Sequence, residues 1–346
     1  MKYPLITIAI ATYNSEKTLS LVLDSIKKQS YPKGKIEVLI IDGNSKDTTI
    51  SITKKYKSKI FNNPKVDQVY AKNMAYKLAK GKYLIFLDSD EELNNKDSLK
   101  MKLNVFQEDS KIKSITTSGY VTPESYPEIN TYINEYGDPF SLFMYKSSRD
   151  YNFFIKDMKT KYKRKYENKN VIVFDFSTED NPPFIELTSM GVMIDLDYVR
   201  KNLPEVLRNI PTHTHLFYLL NSMGNYFAIT KNDSVTHYSA VSIKKYLKKL
   251  SSRIKSNIFG TSMGHAGFKG REVYTNKDYK LKKLFFILYT LTLILPIYDS
   301  IQLFLSRKKT IYLWHPFLCL YVLCVLIYYF VLKTINAKVK LSGYGT

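Results

Sequence analysis

The sequence predicts an α/β domain on a doubly wound, mostly parallel sheet, followed by C-terminal membrane-associated helices. Short β-branched apolar runs alternate with helix-spaced segments over residues 1–100, the pattern of strands buried on both sheet faces and joined by helices. Each run ends in a polar turn motif, where such sheets bind ligands. Beyond Lys283 two apolar segments dominate the chain. At 346 residues it can hold one large domain and an appendage.

Leu5 to Ala11 (LITIAIA) is wholly apolar and of strand length. Thr12-Tyr13-Asn14-Ser15 breaks it, and Ser15 or Asn14 can cap a helix in which Leu19, Val22, Leu23 and Ile26 share a face. Ile36 to Ile41 is a second buried strand, stopped by Asp42-Gly43-Asn44-Ser45, with a helix from about Asp47 to Tyr56 after it. A third helix covers Ala71 to Ala79, with Gly81 as its stop. The next strand, Tyr83 to Leu87, runs into Asp88-Ser89-Asp90.

Residues 120–170, punctuated by Pro123, Pro127 and Gly137-Asp138-Pro139, read as an irregular insert with some helix. A strand over Val171 to Phe176, the loop Glu179-Asp180-Asn181-Pro182-Pro183, a strand over Ser189 to Ile194, a helix over His213 to Met223 and strands over Tyr226 to Thr230 and Asp233 to His237 complete a domain spanning 1–241.

The formal charge of +21 is unevenly spread: from Ser242 onward 18 Lys+Arg face three acids (Glu272, Asp278, Asp299), a net +15 that leaves +6 for residues 1–241. Zinc-finger spacings, aromatic RNP motifs and basic-zipper heptads are missing from the sequence, so no nucleic-acid partner is expected. Basic residues beside apolar segments favour anionic membrane lipids. Ser242 to Phe259 sets Ile243, Tyr246, Leu247, Leu250 and Ile254 on one face and five lysines largely on another, the composition of a helix in the membrane interface or of an ordinary surface helix. With the glycine-rich stretch of Gly260, Gly264, Gly267 and Gly270, a linker or an acceptor-side lid, it makes up region 242–279.

Region 280–346 holds a membrane hairpin of about 284–305, interrupted by Pro296 and Asp299, and 310–332, long enough to span a bilayer. Its flanking lysines favour both ends in the cytoplasm. Cys319 and Cys324 lie in an apolar run and suggest no disulfide or zinc site. Leu5 to Ala11 is too short for an export signal, so the first domain is expected in the cytoplasm, at the cell membrane.

Asp88-Ser89-Asp90 is the sharpest chemical signal. Two carboxylates at a strand end can hold Mg²⁺ or Mn²⁺ against a diphosphate, because hard cations take oxygen ligands and keep phosphate in their shell. Such an ion neutralises charge on a departing nucleoside diphosphate.

Thr12-Tyr13-Asn14, Asp42-Gly43-Asn44-Ser45-Lys46-Asp47-Thr48, Ala71-Lys72-Asn73, Ala79-Lys80-Gly81-Lys82-Tyr83 and Phe86-Leu87-Asp88-Ser89-Asp90 resemble, in order and spacing, the glycosyltransferase family 2 signature on a GT-A (Rossmann-like) fold. The resemblance is strong over residues 4–95 and traceable to about 240. It implies a nucleotide-sugar donor, with Thr12, Tyr13 and Asn14 beside the nucleoside, Asp42 on the base, Lys72 on a phosphate, Asp88 and Ser89 by the ribose or sugar, and Asp90 on the metal. Lys72 stands where the family usually has Arg and would act as a point charge. Asp42 also reads as a helix-capping residue.

The family's acidic general base is not found at the matching place, which reads Pro211-Thr212-His213-Thr214-His215-Leu216. This resembles a membrane-attached subgroup with a His-Thr-Asp run there, so His215 or His213 would be the base, or either would cap or pack a helix. Asp180 is a rival base, or a solvated turn residue. His237 matches a histidine that serves some relatives as a third metal ligand beside Asp88 and Asp90, or is structural. The implied function is inverting, metal-dependent sugar transfer to a lipid-linked or glycan acceptor. The alternatives are a non-catalytic membrane-bound nucleotide-sugar sensor or scaffold, and a nucleotidyltransferase.

Overall fold

The computed structural model of the chain describes residues 3–260 and 272–341. It divides into two units, one formed by Met1–Val121 with Tyr151–His237, the other by Thr122–Asp150 with Tyr238–Thr346.

The first unit is built on strands β1 (Ile6–Thr12), β2 (Ile36–Asp42), β3 (Lys59–Asn62), β4 (Tyr83–Asp88), β5 (Glu91–Leu93), β6 (Ile112–Thr116), β7 (Tyr120–Val121), β8 (Arg164–Glu167), β9 (Val171–Phe174), β10 (Val192–Asp195), β11 (Tyr226–Thr230) and β12 (Val235–His237). Nine form one sheet in the order β3-β2-β1-β4-β10-β6-β11-β9-β8, and β5-β12-β7 form a small second sheet. The β3-β2-β1-β4 half is parallel. Beyond it β10 runs antiparallel to both β4 and β6.

The parallel half is apolar because both faces are covered. Ile6, Ile8, Ile10, Leu39, Ile40, Leu84 and Leu87 have no exposed surface, each burial contributing roughly 1.5–3 kcal/mol. Register pairs Thr12 with Asp42 and Ala11 with Asp88, so the polar motifs that end β1, β2 and β4 come out side by side.

The local signals differ in detail from the sequence expectation. The first helix is Leu19–Lys27, and its N-cap is Thr18, not Ser15 or Asn14. The helix over Gln68–Leu78 starts earlier than the periodicity suggests because Asp67 caps it, accepting from Tyr70 N. Gly81 does not stop that helix, which ends at Ala79 in an extended conformation. A side chain at 81 would meet Thr7 N at 2.6 Å and Leu5 O at 2.8 Å, so the glycine lets β4 enter flush against β1. His213 lies in a 3-10 turn, Ile210–His215, ahead of the helix Leu216–Ser222.

The boundary expected at 241 gives way to an interleaved arrangement. Residues 122–150 belong with the C-terminal unit, where the helices Ile129–Tyr136 and Pro139–Tyr145 pack with Ile243–Phe259 and His315–Thr334 around Tyr132, Phe143, Tyr246, Leu250, Phe286 and Leu318. The apolar stripe of Ile243–Phe259 is therefore a protein-packing face; Tyr246, Leu250, Ile254 and Ile258 are buried. One described helix, Thr310–Thr334, is long and apolar enough to cross a membrane. The segment expected at 284–305 is a bent pair, Phe285–Thr292 and Ile294–Arg307, at 77°. Gly264, Gly267 and Gly270 of the expected linker lie outside the described residues.

Candidate active site

The site is assembled in the first unit from the carboxyl ends of β2, β1 and β4. Asp42 is buried, and its Oδ1 accepts from Thr12 Oγ1 at 2.8 Å and Ser45 Oγ at 2.5 Å while Oδ2 accepts from Ser45 N at 2.8 Å. It caps its own turn and no helix. An unused lone pair remains on Oδ2 for an outside donor. Asn14 adopts a positive φ of 48°, and its Oδ1 accepts from Lys46 N while its own N–H donates to Ser45 Oγ. The β1 and β2 loops thus brace each other through Asn14, Ser45 and Asp42.

Ser15 ties this loop to the next. Its hydroxyl donates to Ser89 Oγ at 2.8 Å, and Thr18 Oγ1 donates to the Ser89 carbonyl at 2.8 Å. The helix Gln68–Leu78 sends two side chains to Asp88: Lys72 Nζ at 2.7 Å and Gln68 Nε2 at 2.9 Å, both to Oδ1. Burial disfavours the Lys72 ammonium, but the charges and hydrogen bond on its far end, Asp88 first, outweigh this and hold its pKa above the ordinary lysine value. Asp88 Oδ1 is consequently committed within the protein.

Glu91 lies beneath the motif. Fully buried, it accepts from Asp88 N at 3.1 Å, from Met190 N through both oxygens at 2.9 Å, and from the Tyr120 hydroxyl. Burial, and then the Asp88 charge, push its carboxyl up to about 8 against those hydrogen bonds. Met190 and Gly191 both adopt positive φ, 58° and 60°, so a strained bend closes over the same carboxylate.

The small sheet brings in His237. Its strand, β12, pairs antiparallel with β5, His237 opposite Glu91, and the imidazole stacks on Tyr120 at 4.7 Å between centroids. His237 Nε2 then stands 3.7 Å from Asp90 Oδ1. Two ligand atoms each about 2.1 Å from one cation and 90–120° apart stand roughly 3.0–3.6 Å from each other, and the observed 3.7 Å lies at the long edge of that range. The pair fits a shared divalent ion, with the imidazole favouring Mn²⁺ over Mg²⁺. Among the described residues no group of three His, Cys, Asp or Glu side chains forms a complete cage. A hard cation held by so few protein ligands completes its shell with water and phosphate.

Of the expected bases, His213 is buried and packs on Tyr76 at 5.8 Å. Its Nδ1 has no hydrogen-bond partner, and burial pushes its pKa down to about 3. An imidazole so weakly basic packs the turn better than it takes protons. His215 ends the same turn, nearly buried. His213 feels the charge of both Lys72 and His215, which puts the turn on the Lys72 side of the site. Asp180 is exposed on the loop after β9. Glu186, exposed and within electrostatic reach of Lys72, joins Gln68, Glu91 and Tyr120 as residues the sequence pattern did not single out.

Residues 7–177 match the sequence family described as Glycosyl transferase family 2. The chain belongs to glycosyltransferase family 2. It is 39% identical over 102 residues to poly(ribitol-phosphate) beta-N-acetylglucosaminyltransferase TarS of Staphylococcus aureus strain Mu50, a stretch covering 27% of this chain and 17% of that one. It is 40% identical over 91 residues to UDP-Glc:alpha-D-GlcNAc-diphosphoundecaprenol beta-1,3-glucosyltransferase WfaP of Escherichia coli, 25% of this chain and 36% of the relative. The matched stretch thus spans well under half of either relative. The mannosyltransferase PcManGT of Pyrobaculum calidifontis, solved with GDP-Man and Mn²⁺, superposes over 95% of this chain and 88% of its own at a TM-score of 0.51 and 13% identity, which shows the shared GT-A fold.

Proposed function

We propose that this family 2 chain is an inverting, metal-dependent glycosyltransferase that moves a sugar from a nucleoside-diphosphate donor to a lipid-linked or glycan acceptor at the cytoplasmic face of a membrane. The observation that carries the reading is the placing of Asp42 at the end of β2 and of Asp88 and Asp90 at and just beyond the end of β4, on either side of β1, with His237 delivered to Asp90 by the small sheet.

In this reading Asp42 Oδ2 accepts from the base and the braced loop of Thr12, Tyr13 and Asn14 walls the nucleoside. Ser89, fixed by Ser15 and Thr18, and Asp88, fixed by Lys72, border the ribose and sugar. Asp90 and His237 would hold Mn²⁺ or Mg²⁺, which when bound offsets negative charge on the diphosphate leaving group. Lys72 adds a point charge on the phosphate side. His215 takes the acceptor hydroxyl proton as that oxygen bonds to the anomeric carbon and the bond from that carbon to the diphosphate oxygen breaks. His215 is preferred over His213 because the latter's basicity is suppressed.

The acceptor class is supported by the relatives' names, one a diphosphoundecaprenol-linked sugar and one a poly(ribitol-phosphate). Membrane association is supported by the long apolar helix and the C-terminal basic excess. Titration calorimetry with UDP, GDP and dTDP in the presence of Mn²⁺ tests the donor half. Asp42→Ala should weaken binding of the preferred nucleotide about tenfold or more, in line with one lost charge-assisted hydrogen bond. Equal binding by the variant would remove Asp42 from the nucleoside site, and no binding of any nucleotide would contradict both the transferase and the nucleotide-sugar-binding scaffold.

A further inference from the structure

The second unit exposes large apolar side chains almost continuously from Leu281 to Ile335. Leu288 and Leu291 lie on one arm of the bent pair and Ile294 and Leu295 on the other, while Phe317 and Tyr328 stand on the helix His315–Thr334. On that last helix the open stripe is opposite the face that packs inward at Leu318, Val322 and Tyr329. Taken alone, the helix reads as a bilayer span.

Its neighbour argues otherwise. The helix Ile243–Phe259 runs beside it in the same direction, as four contacts establish. Tyr321 Oη donates to the Leu247 carbonyl at 3.0 Å, Ser251 and Tyr329 share a hydrogen bond at 3.2 Å, Phe259 meets Tyr329 edge-on, and Lys333 Nζ donates to the Ile258 carbonyl at 2.9 Å. That neighbour carries Lys244, Lys245, Lys248, Lys249, Arg253 and Lys255, of which Lys244, Lys245, Lys248 and Arg253 are exposed. At 1.5 Å per residue the charges from Lys244 to Lys255 run along about 16 Å, level with the middle and the C-terminal half of the helix His315–Thr334. A hydrocarbon layer about 30 Å thick would have to take them in, and ammonium or guanidinium groups at that depth are among the costliest placements known. The bent pair has the same difficulty, because Asp299, midway along it, is paired with exposed Lys146 at 2.9 Å.

We propose that this unit lies in one leaflet of an anionic bilayer without crossing it. The open apolar face formed by residues 284–335 sits among the acyl chains, and the basic side of Ile243–Phe259 faces anionic headgroups. The 77° bend follows from this arrangement: a helix pair that does not traverse the membrane can turn in its plane. The proposal deepens the membrane part of the proposed function and replaces a crossing hairpin with in-plane insertion. Both halves of the face, apolar and basic, are needed for stable attachment.

The test uses the full chain in sealed, inverted membrane vesicles from expressing cells. In a Cys319→Ala, Cys324→Ala background, single cysteines replace Lys248, Lys308 or Lys338, and a membrane-impermeant maleimide is added outside. In-plane insertion predicts that all three react without permeabilisation. Protection of Lys308→Cys or Lys338→Cys until detergent is added would mean that the chain crosses, and would overturn the proposal while leaving membrane attachment intact. A chain that stays in the soluble fraction would overturn membrane attachment itself. As a second readout, flotation with phosphatidylcholine vesicles containing phosphatidylglycerol should weaken roughly fivefold per lysine when Lys244, Lys245 and Lys248 are changed to Gln; unchanged flotation would contradict the headgroup contact.

Discussion

His237 Nε2 stands 3.7 Å from Asp90 Oδ1, although Asp90 lies within the first segment of the first unit and His237 is the last residue of its second segment. The separation is set by strand pairing: β12 lies against β5, the strand that begins directly after Asp90. If the pair shares a cation, His237→Ala should raise the Mn²⁺ concentration needed for half-maximal nucleoside-diphosphate release by about tenfold or more. Asp90→Ala should lower kcat/KM by at least ~100-fold, or about 2.7 kcal/mol. A metal titration of both variants checks this; an unaltered Mn²⁺ requirement in His237→Ala would assign the histidine to packing on Tyr120.

Lys72 holds Asp88 at 2.7 Å from within the helix Gln68–Leu78. Lys72→Met leaves a mostly buried carboxylate without its cation, and should cost about 1–3 kcal/mol of stability together with a higher KM for the donor. Lys72→Arg keeps the charge and should recover most of the KM effect. Chemical denaturation alongside initial rates separates the two contributions, and an unchanged KM in Lys72→Met would deny the lysine any place near the phosphates.

The β11–β12 turn that presents His237 is anchored by a second ion pair. Lys102 Nζ reaches Asp233 Oδ2 at 2.5 Å with both side chains fully buried, and Ser98 and Thr230 complete the network. Removing one partner strands the other charge, so Lys102→Met should destabilise the chain by about 3–5 kcal/mol. A midpoint of urea unfolding equal to that of the wild type would show that water reaches Asp233.

His213 makes stability depend on pH with a definite sign. Burial keeps it neutral in the folded chain down to about 3, whereas the unfolded chain takes up a proton near 6.5. Stability is therefore full above 6.5 and falls as the pH drops through the window from 6.5 toward 3. His213→Phe should flatten the part of this slope that lies above the carboxylate range. Urea midpoints at pH 7 and pH 5 measure it, and identical slopes in the two proteins would mean that the folded imidazole titrates normally.

The parts of this site that could be read in the sequence are those encoded by contiguous residues. β1, β2 and β4 announce themselves as apolar runs because both sheet faces are covered, and Asp42 and Asp88 follow from where those runs stop. Glu91 was not legible. It resembles a solvated acid after a turn, and only pairing with Met190 N and Tyr120, distant in sequence, makes it a buried organiser. Pairings of strands two or three residues long, such as β7 and β12, carry no periodic signal. The helix Ile243–Phe259 teaches a related lesson: periodicity tells which residues share a face, and says nothing about whether lipid or protein covers it.

The central claim is sugar transfer, and its most direct test is nucleoside-diphosphate release from UDP-, GDP- and dTDP-sugars with Mn²⁺ and a polyprenyl-diphosphate glycan acceptor. Wild type and the Asp90→Ala and His215→Ala variants are compared, with the extended glycan followed by mass spectrometry. The account predicts acceptor-dependent release and a glycan one sugar longer in the wild type only. Nucleotide binding with neither release nor extension under any donor and acceptor would contradict it and leave a nucleotide-sugar-binding scaffold.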